Sequence, residues 1–320
     1  MDIQHIKAIK NPINNYSGLK ELVRDILHQQ GSFSTKRMNE LLPSYAWVIV
    51  AFSLITFSAT SHTSESNELV ITAHDGDLSK VRALLEKGVD VNFRQRNFTA
   101  LMVSSEKGHL EVVQALLEHG ATVNYQTSKG ATALIVASQE GHIEIVEALI
   151  ANGAEIDHQT KNGFTALMAA CQNGYNEIVQ ILLEKSTEIN HQAKNGATAL
   201  MLVSQNGNIE IVKSLLDKGA DTNQQAEDGF TALMLATHYA HEEIVQTLLA
   251  QGADIDLQNQ EGATALMIAS VSGYKGIVKV LLDKGAKVNL REKKGGTALE
   301  HAKTKEIREL LRISGATKNI

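Results

Sequence analysis

From about residue 97 onward, two short patterns of apolar and polar positions keep returning. One begins at a threonine and reads, in its commonest form, Thr-Ala-Leu-Met-x-Ala-Ser, with a glycine soon after, as at Gly141 or Gly174. The second places Ile145, Val146, Leu149 and Ile150 on one face at helical spacing and stops at a Gly-Ala pair. A threonine before an apolar run is a good N-cap, because its hydroxyl accepts a bond from an orphan backbone amide. A glycine after the run ends it. Each unit therefore predicts two short helices and a polar stretch, such as His158-Gln-Thr-Lys-Asn-Gly, leading to the next unit. Helices this short cannot bury their apolar faces alone, so neighbouring units must stack.

The period is constant. Thr-Ala-Leu begins at Thr99, Thr132, Thr165, Thr198, Thr231, Thr264 and Thr297, 33 residues apart each time. A glycine stands two residues before all but the first of these, where Asn97 takes its place, and that first connecting segment is one residue shorter. Asparagine tolerates left-handed turn geometry best after glycine. On these residues the chain resembles the ankyrin-repeat family over residues 66–320, with a divergent first unit (66–96), six full units and a shortened last one from 295. The resemblance implies an all-α, right-handed solenoid of seven to eight helix–turn–helix units with β-hairpin-like fingers between them. It also implies partner binding on the concave face of fingers and inner helices, and candidate hydroxylation of finger asparagines such as Asn124 or Asn190. The chain departs from the family's Thr-Pro-Leu-His: five of seven methionines, at 102, 168, 201, 234 and 267, stand where that histidine would be. Methionine fills irregular apolar gaps, so these residues are expected in the interfaces between units. Cys171 takes a slot held elsewhere by Ser138 and Ser204 and reads as a small buried residue. In the last unit Glu300 replaces the methionine, and Lys303, Lys305, Arg308 and Arg312 suggest a polar end cap.

The first 65 residues follow a different pattern. Residues 1–44 form a polar extension, with one amphipathic stretch around Gly18–Gln29. Residues 45–60 are apolar and lie within the 24 residues from Leu41 to Ser64 that hold no Asp, Glu, Lys or Arg. A spanning helix needs about 20 apolar residues. Two main readings stand: a cap or degenerate repeat packed on the first unit, or a membrane anchor for the repeats. A stretch lying outside the fold is a third.

Composition narrows the chemistry. The formal charge of −6 lacks the basic footprint of general nucleic-acid binding. A lone cysteine rules out an internal disulfide framework and fits a reducing compartment, hence a cytoplasmic location, with membrane association as the alternative. Charge is uneven: residues 139–261 hold 18 acidic and five basic groups, and residues 275–318 hold 12 basic and five acidic. No phosphate-binding Gly-Lys-Ser/Thr loop, His-Glu-x-x-His, Cys-x-x-Cys or Gly-x-Ser-x-Gly occurs. Ala73-His-Asp-Gly-Asp is too short for a calcium loop. His238 and His241 lie three apart, but His241 shares its column with His109 and His142, so packing or turn bonding is expected over metal binding. No cofactor, metal or catalytic group is expected.

The expected activity is therefore protein binding by a monomer acting as adaptor, scaffold or inhibitor. Two sets of residues are candidates. The position before each threonine alternates Phe98, Ala131, Phe164, Ala197, Phe230, Ala263. The phenylalanines form either a row of exposed anchors or contacts between neighbouring fingers. The second set is the pair before each inter-helix glycine, which includes Glu106-Lys107 and, most suited to binding, His238-Tyr239. The acidic middle points to a partner with a basic surface, since complementary charge speeds and selects encounter.

Overall fold

Each threonine flagged above begins a helix in a computed structural model that describes residues 65–186 and 188–317. The extension 1–44 and the apolar segment 45–60 lie outside the described residues. The inner helices are α1 (Glu65–Asp75), α3 (Ala100–Lys107), α5 (Ala133–Glu140), α7 (Ala166–Asn173), α9 (Ala199–Asn206), α11 (Ala232–His238), α13 (Ala265–Ser272) and α15 (Ala298–His301). Paired with them are the outer helices α2 (Leu78–Glu86), α4 (Leu110–Glu118), α6 (Ile143–Ala151), α8 (Asn176–Leu183), α10 (Ile209–Asp217), α12 (Glu242–Ala250), α14 (Lys275–Asp283) and α16 (Lys305–Ile313). Inner helices pack on inner and outer on outer, so the described chain is an all-α solenoid of repeated helix pairs.

The caps act as the threonines foretell. Thr99, Thr165, Thr198 and Thr231 each accept a bond from the backbone N–H three residues on at 3.2 Å. Six inner helices end on a left-handed glycine, but α11 ends at Tyr239 and is followed by Ala240 at φ 63°. An L-residue pays roughly 1–2 kcal/mol there that glycine does not.

The methionines of the repeat column are 1–3% exposed and lie in the stacked core, as the sequence implies. One apolar cluster runs from Leu69 to Leu311, so no repeat has a core of its own. Cys171 is fully buried, and burial pushes its thiol pKa up, away from reactivity. At the C-terminal end Glu300 folds back to accept a bond from the Thr297 backbone N–H at 2.9 Å. A self-capping carboxylate here stands where the preceding units have an apolar filler.

Fingers join the pairs. The first is a two-residue turn with Arg96 and Asn97 both at positive φ, closed by reciprocal 2.9 Å bonds between Gln95 and Phe98. Deleting one residue converts the longer finger turn, which needs one left-handed glycine, into one that needs two left-handed residues. Among the described residues no helix is long and apolar enough to cross a membrane.

Candidate protein-binding surface

The fingers are laced into one edge. The backbone N–H of Lys161 donates to the carbonyl of Lys129 at 2.8 Å, and the same rung repeats from Lys194 to Asn162, Glu227 to Asn195, Gln260 to Asp228 and Lys293 to Glu261 at 2.9 Å. A glutamine ladder reinforces it. Gln192, Gln225 and Gln258 each donate through Nε2 to their own finger's glycine carbonyl and, at 2.9–3.0 Å, to the next finger. At the finger base, Asn190 Nδ2 donates to the Gly219 carbonyl at 3.1 Å and its Oδ1 accepts from the Asp221 N–H at 2.7 Å. Asn92, Asn124, Asn223 and Asn289 make the same paired contact with the following repeat. Where the fourth repeat has Ser186-Thr187 in place of Gly-Ala, the Ser186 hydroxyl donates to Asp157 at 2.6 Å instead. The edge is thus held by bonds between repeats, not by any one finger.

Phe98 and Phe164 are half-buried against the main core. Phe230 is buried, 7% exposed, and packs with Met234 and Ile268. Of the two readings of this row, contact within the fold describes the geometry, most clearly for Phe230. A depression of about 190 Å³ between the fourth and fifth fingers is lined by Ala197, Leu202, Gln205, Glu227, Phe230 and Leu235. It brings fingers and inner helices onto one face.

The residue pairs at the inner-helix ends sit at intermediate depth on this face. Glu106 is 8% exposed, and its carboxylate lies 3.4 Å from the Lys107 ammonium, which is itself half-buried. Glu140, which takes the place of Lys107 one repeat on, has its pKa raised, chiefly by burial and then by the Glu106 charge. The His238 ring meets Tyr239 edge-on, with centroids 4.9 Å apart, and Tyr239 stacks on His241 at 6.4 Å. Burial lowers the His238 pKa and raises that of Tyr239.

The turn histidines are structural. His142 Nε2 donates to the Glu106 carbonyl at 3.1 Å, and His241 Nε2 to the Gln205 carbonyl at 3.1 Å. A carbonyl only accepts, so each ring must carry its proton on Nε2 to make this bond. His241 is thereby tied to the turn through its Nε2. Among the described residues no group of three or more His, Cys, Asp or Glu side chains is arranged to hold a metal ion.

Much of the middle repeats' acidity lies elsewhere. Glu144, Glu147, Glu177, Glu184 and Glu210 are all on outer helices or their ends and exposed. The finger edge carries its own charges: Lys161 and Lys194, then Glu227, Asp228 and Glu261. Sequence reasoning singled out neither these tips nor the glutamine ladder. Both show once residues are read down 33-residue columns instead of along blocks.

A family model of ankyrin repeats, in sets of three copies, matches five overlapping stretches: residues 50–127, 69–160, 123–193, 185–259 and 233–320. No curated protein matches the chain significantly. With the repeat model covering residues 50–320 and every described helix pair built on one plan, the chain belongs to the ankyrin-repeat family.

Proposed function

We propose that this chain is a non-enzymatic, monomeric, cytoplasmic protein-binding module that acts as an adaptor, scaffold or inhibitor through its finger and inner-helix face. One observation carries the reading. Framework positions repeat almost unchanged from unit to unit, whereas the tip pairs and inner-helix ends on this one face change along the array, alike only in the two central units with Lys161-Asn162 and Lys194-Asn195 at the tips and Gln172-Asn173 and Gln205-Asn206 at the helix ends. A stacked core requires the same residue in each interface. It places no such demand on Gln139-Glu140, Gln172-Asn173, Gln205-Asn206 and His238-Tyr239, which leaves those residues free to specify a partner. Glu106, Lys107, His238 and Tyr239 belong to that variable set. Phe98, Phe164 and Phe230 contribute as walls of the finger edge rather than as projecting anchors. Ankyrin repeats are generally protein–protein interaction modules, which favours the same reading.

The test compares affinity capture from native lysate by three forms of the full chain. These are the wild type, a face variant (Gln172→Ala, Gln205→Ala, Tyr239→Ala) and an outer variant (Glu144→Ala, Glu177→Ala, Glu210→Ala). Specific proteins recovered by the wild type and the outer variant, and lost with the face variant, support the proposal. Loss only with the outer variant would move the binding surface to the opposite side of the solenoid.

A further inference from the structure

The exposed finger tips carry one charge sign for four fingers and then switch. Arg96, Lys129, Lys161 and Lys194 stand on the first four; Glu227 and Asp228 stand on the fifth, Glu261 on the sixth, and Lys293 and Lys294 on the seventh. The backbone rungs from the second finger to the seventh fix the spacing of these charges. On the outer helices behind the second to fourth repeats the exposed charges are acidic instead, at Glu111, Glu144, Glu147 and Glu177. The point where the sign changes, between Lys194 and Glu227, is also where the 190 Å³ depression opens between Leu202, Phe230 and Leu235. That volume is too small for a typical small-molecule site, which occupies about 300 Å³ or more. It has room for one apolar side chain, the kind of central anchor that carries binding energy at protein interfaces.

We propose that the finger edge binds an extended protein segment that is acidic along fingers one to four, inserts one apolar side chain between the fourth and fifth fingers, and is basic along fingers five and six. The proposal rests on the finger and inner-helix face being the partner-binding surface. Its polarity reverses, over four fingers, the basic partner that the chain's acidic middle suggests, because the charged tips of those fingers are all lysine or arginine and eight of the 18 acidic groups lie on the outer helices or at their ends. Stacked units roughly 8–10 Å apart put the four basic tips along about 25–30 Å. At about 3.3 Å per residue, eight or so extended residues cover them. A nucleic acid continuing along this edge would bring its phosphates against Glu227, Asp228 and Glu261.

Fluorescence anisotropy on the full chain tests this with three labelled probes. The first is a synthetic peptide with a glutamate run, one leucine and a lysine run. The second has the same composition with its charges interleaved, and the third is a single-stranded oligothymidylate of equal length. The ordered peptide is expected to bind at least tenfold tighter than the interleaved one, more weakly as salt rises, and about fivefold more weakly when its leucine is replaced by serine. Lys129→Glu, Lys161→Glu and Lys194→Glu together, with helical circular dichroism unchanged, should weaken it tenfold or more, and the milder Lys→Gln set should weaken it less. Lys305→Glu, Arg308→Glu and Arg312→Glu together should change it less than twofold. Equal binding of ordered and interleaved peptides, loss with the C-terminal set instead, or tighter binding of the oligonucleotide would each overturn the proposal. The capture comparison uses none of these charges, so the two readings can fail separately.

Discussion

A column of buried hydroxyls offers the sharpest test of how the solenoid is held together. Ser105, Ser138, Ser204, Thr237 and Ser270 recur at the same place in successive inner helices, with Cys171 in the same column. All six are 0% exposed, and the five hydroxyl oxygens have no hydrogen-bond partner. A buried hydroxyl left unpaired costs about 1–3 kcal/mol. Replacing serine by alanine removes that cost and adds a few tenths of a kcal/mol in helix propensity, roughly 0.5. Against this stands an oxygen-sized void, which at about 24 cal/mol per Å³ costs around 0.5 kcal/mol or less. Each of Ser138→Ala, Ser204→Ala and Ser270→Ala should therefore stabilise the fold by about 1–2 kcal/mol. Ser138, Ser204 and Ser270 lie two repeats apart, far enough for their effects to add, so the triple variant should gain at least about 3 kcal/mol. Cys171→Ser should do the opposite, costing about 1–3 kcal/mol, by adding a sixth buried hydroxyl to the column. Urea unfolding followed by circular dichroism reads all four variants, with equal slopes required for comparison because long repeat arrays can lose two-state behaviour. A triple variant no more stable than the wild type would refute the reasoning, since the hydroxyls would then have to be satisfied along the stack.

Five further outcomes follow from the geometry. Ala240→Gly should stabilise by about 0.5–1 kcal/mol, the left-handed strain relieved less the extra freedom of glycine in the unfolded chain. Gly141→Ala should destabilise more than that in the same unfolding assay, because its Cβ would lie 2.6 Å from the Tyr175 ring. Glu140 has a raised folded pKa, so ionising it opposes folding, and stability falls as pH rises from its ordinary value through the folded one. Glu140→Gln should raise the melting temperature at pH 7 and flatten its dependence between pH 4 and 7; an unchanged profile would mean the carboxyl is solvated. Asn190→Ala deletes both bonds that tie its finger to the next repeat, and should cost about 1–3 kcal/mol and raise amide exchange at Asp221. Phe230→Ala should cost about 3 kcal/mol or more in a urea titration, as for a core aromatic and not a projecting anchor.

The framework was legible in the sequence because local rules fix it. Thr165 caps because of its hydroxyl, Gly174 stops a helix because of its missing Cβ, and Met168 is buried because the same interface recurs every 33 residues. Asn97 was legible as a left-handed residue, but Arg96 at φ 51° was not, since nothing in an arginine marks a two-residue turn. The alternation of Phe164 and Ala197 showed that one column mattered without showing which way the rings face. Partner chemistry was hardest to read. Summing charge over residues 139–261 mixes Glu144 and Glu177, on the outer helices, with Lys161 and Lys194 at the finger tips. A side chain's face depends on its phase within the repeat, and that phase is lost when charges are counted along a block.

The most direct test of the partner-binding face is site-specific photo-crosslinking in living cells. A photoreactive residue is placed at Asn162 or Asn195 on the finger tips, or at Glu144 or Glu177 on the outer helices. The account predicts discrete, reproducible protein adducts from the tip positions and none from the outer ones. Adducts from the outer positions alone would contradict it.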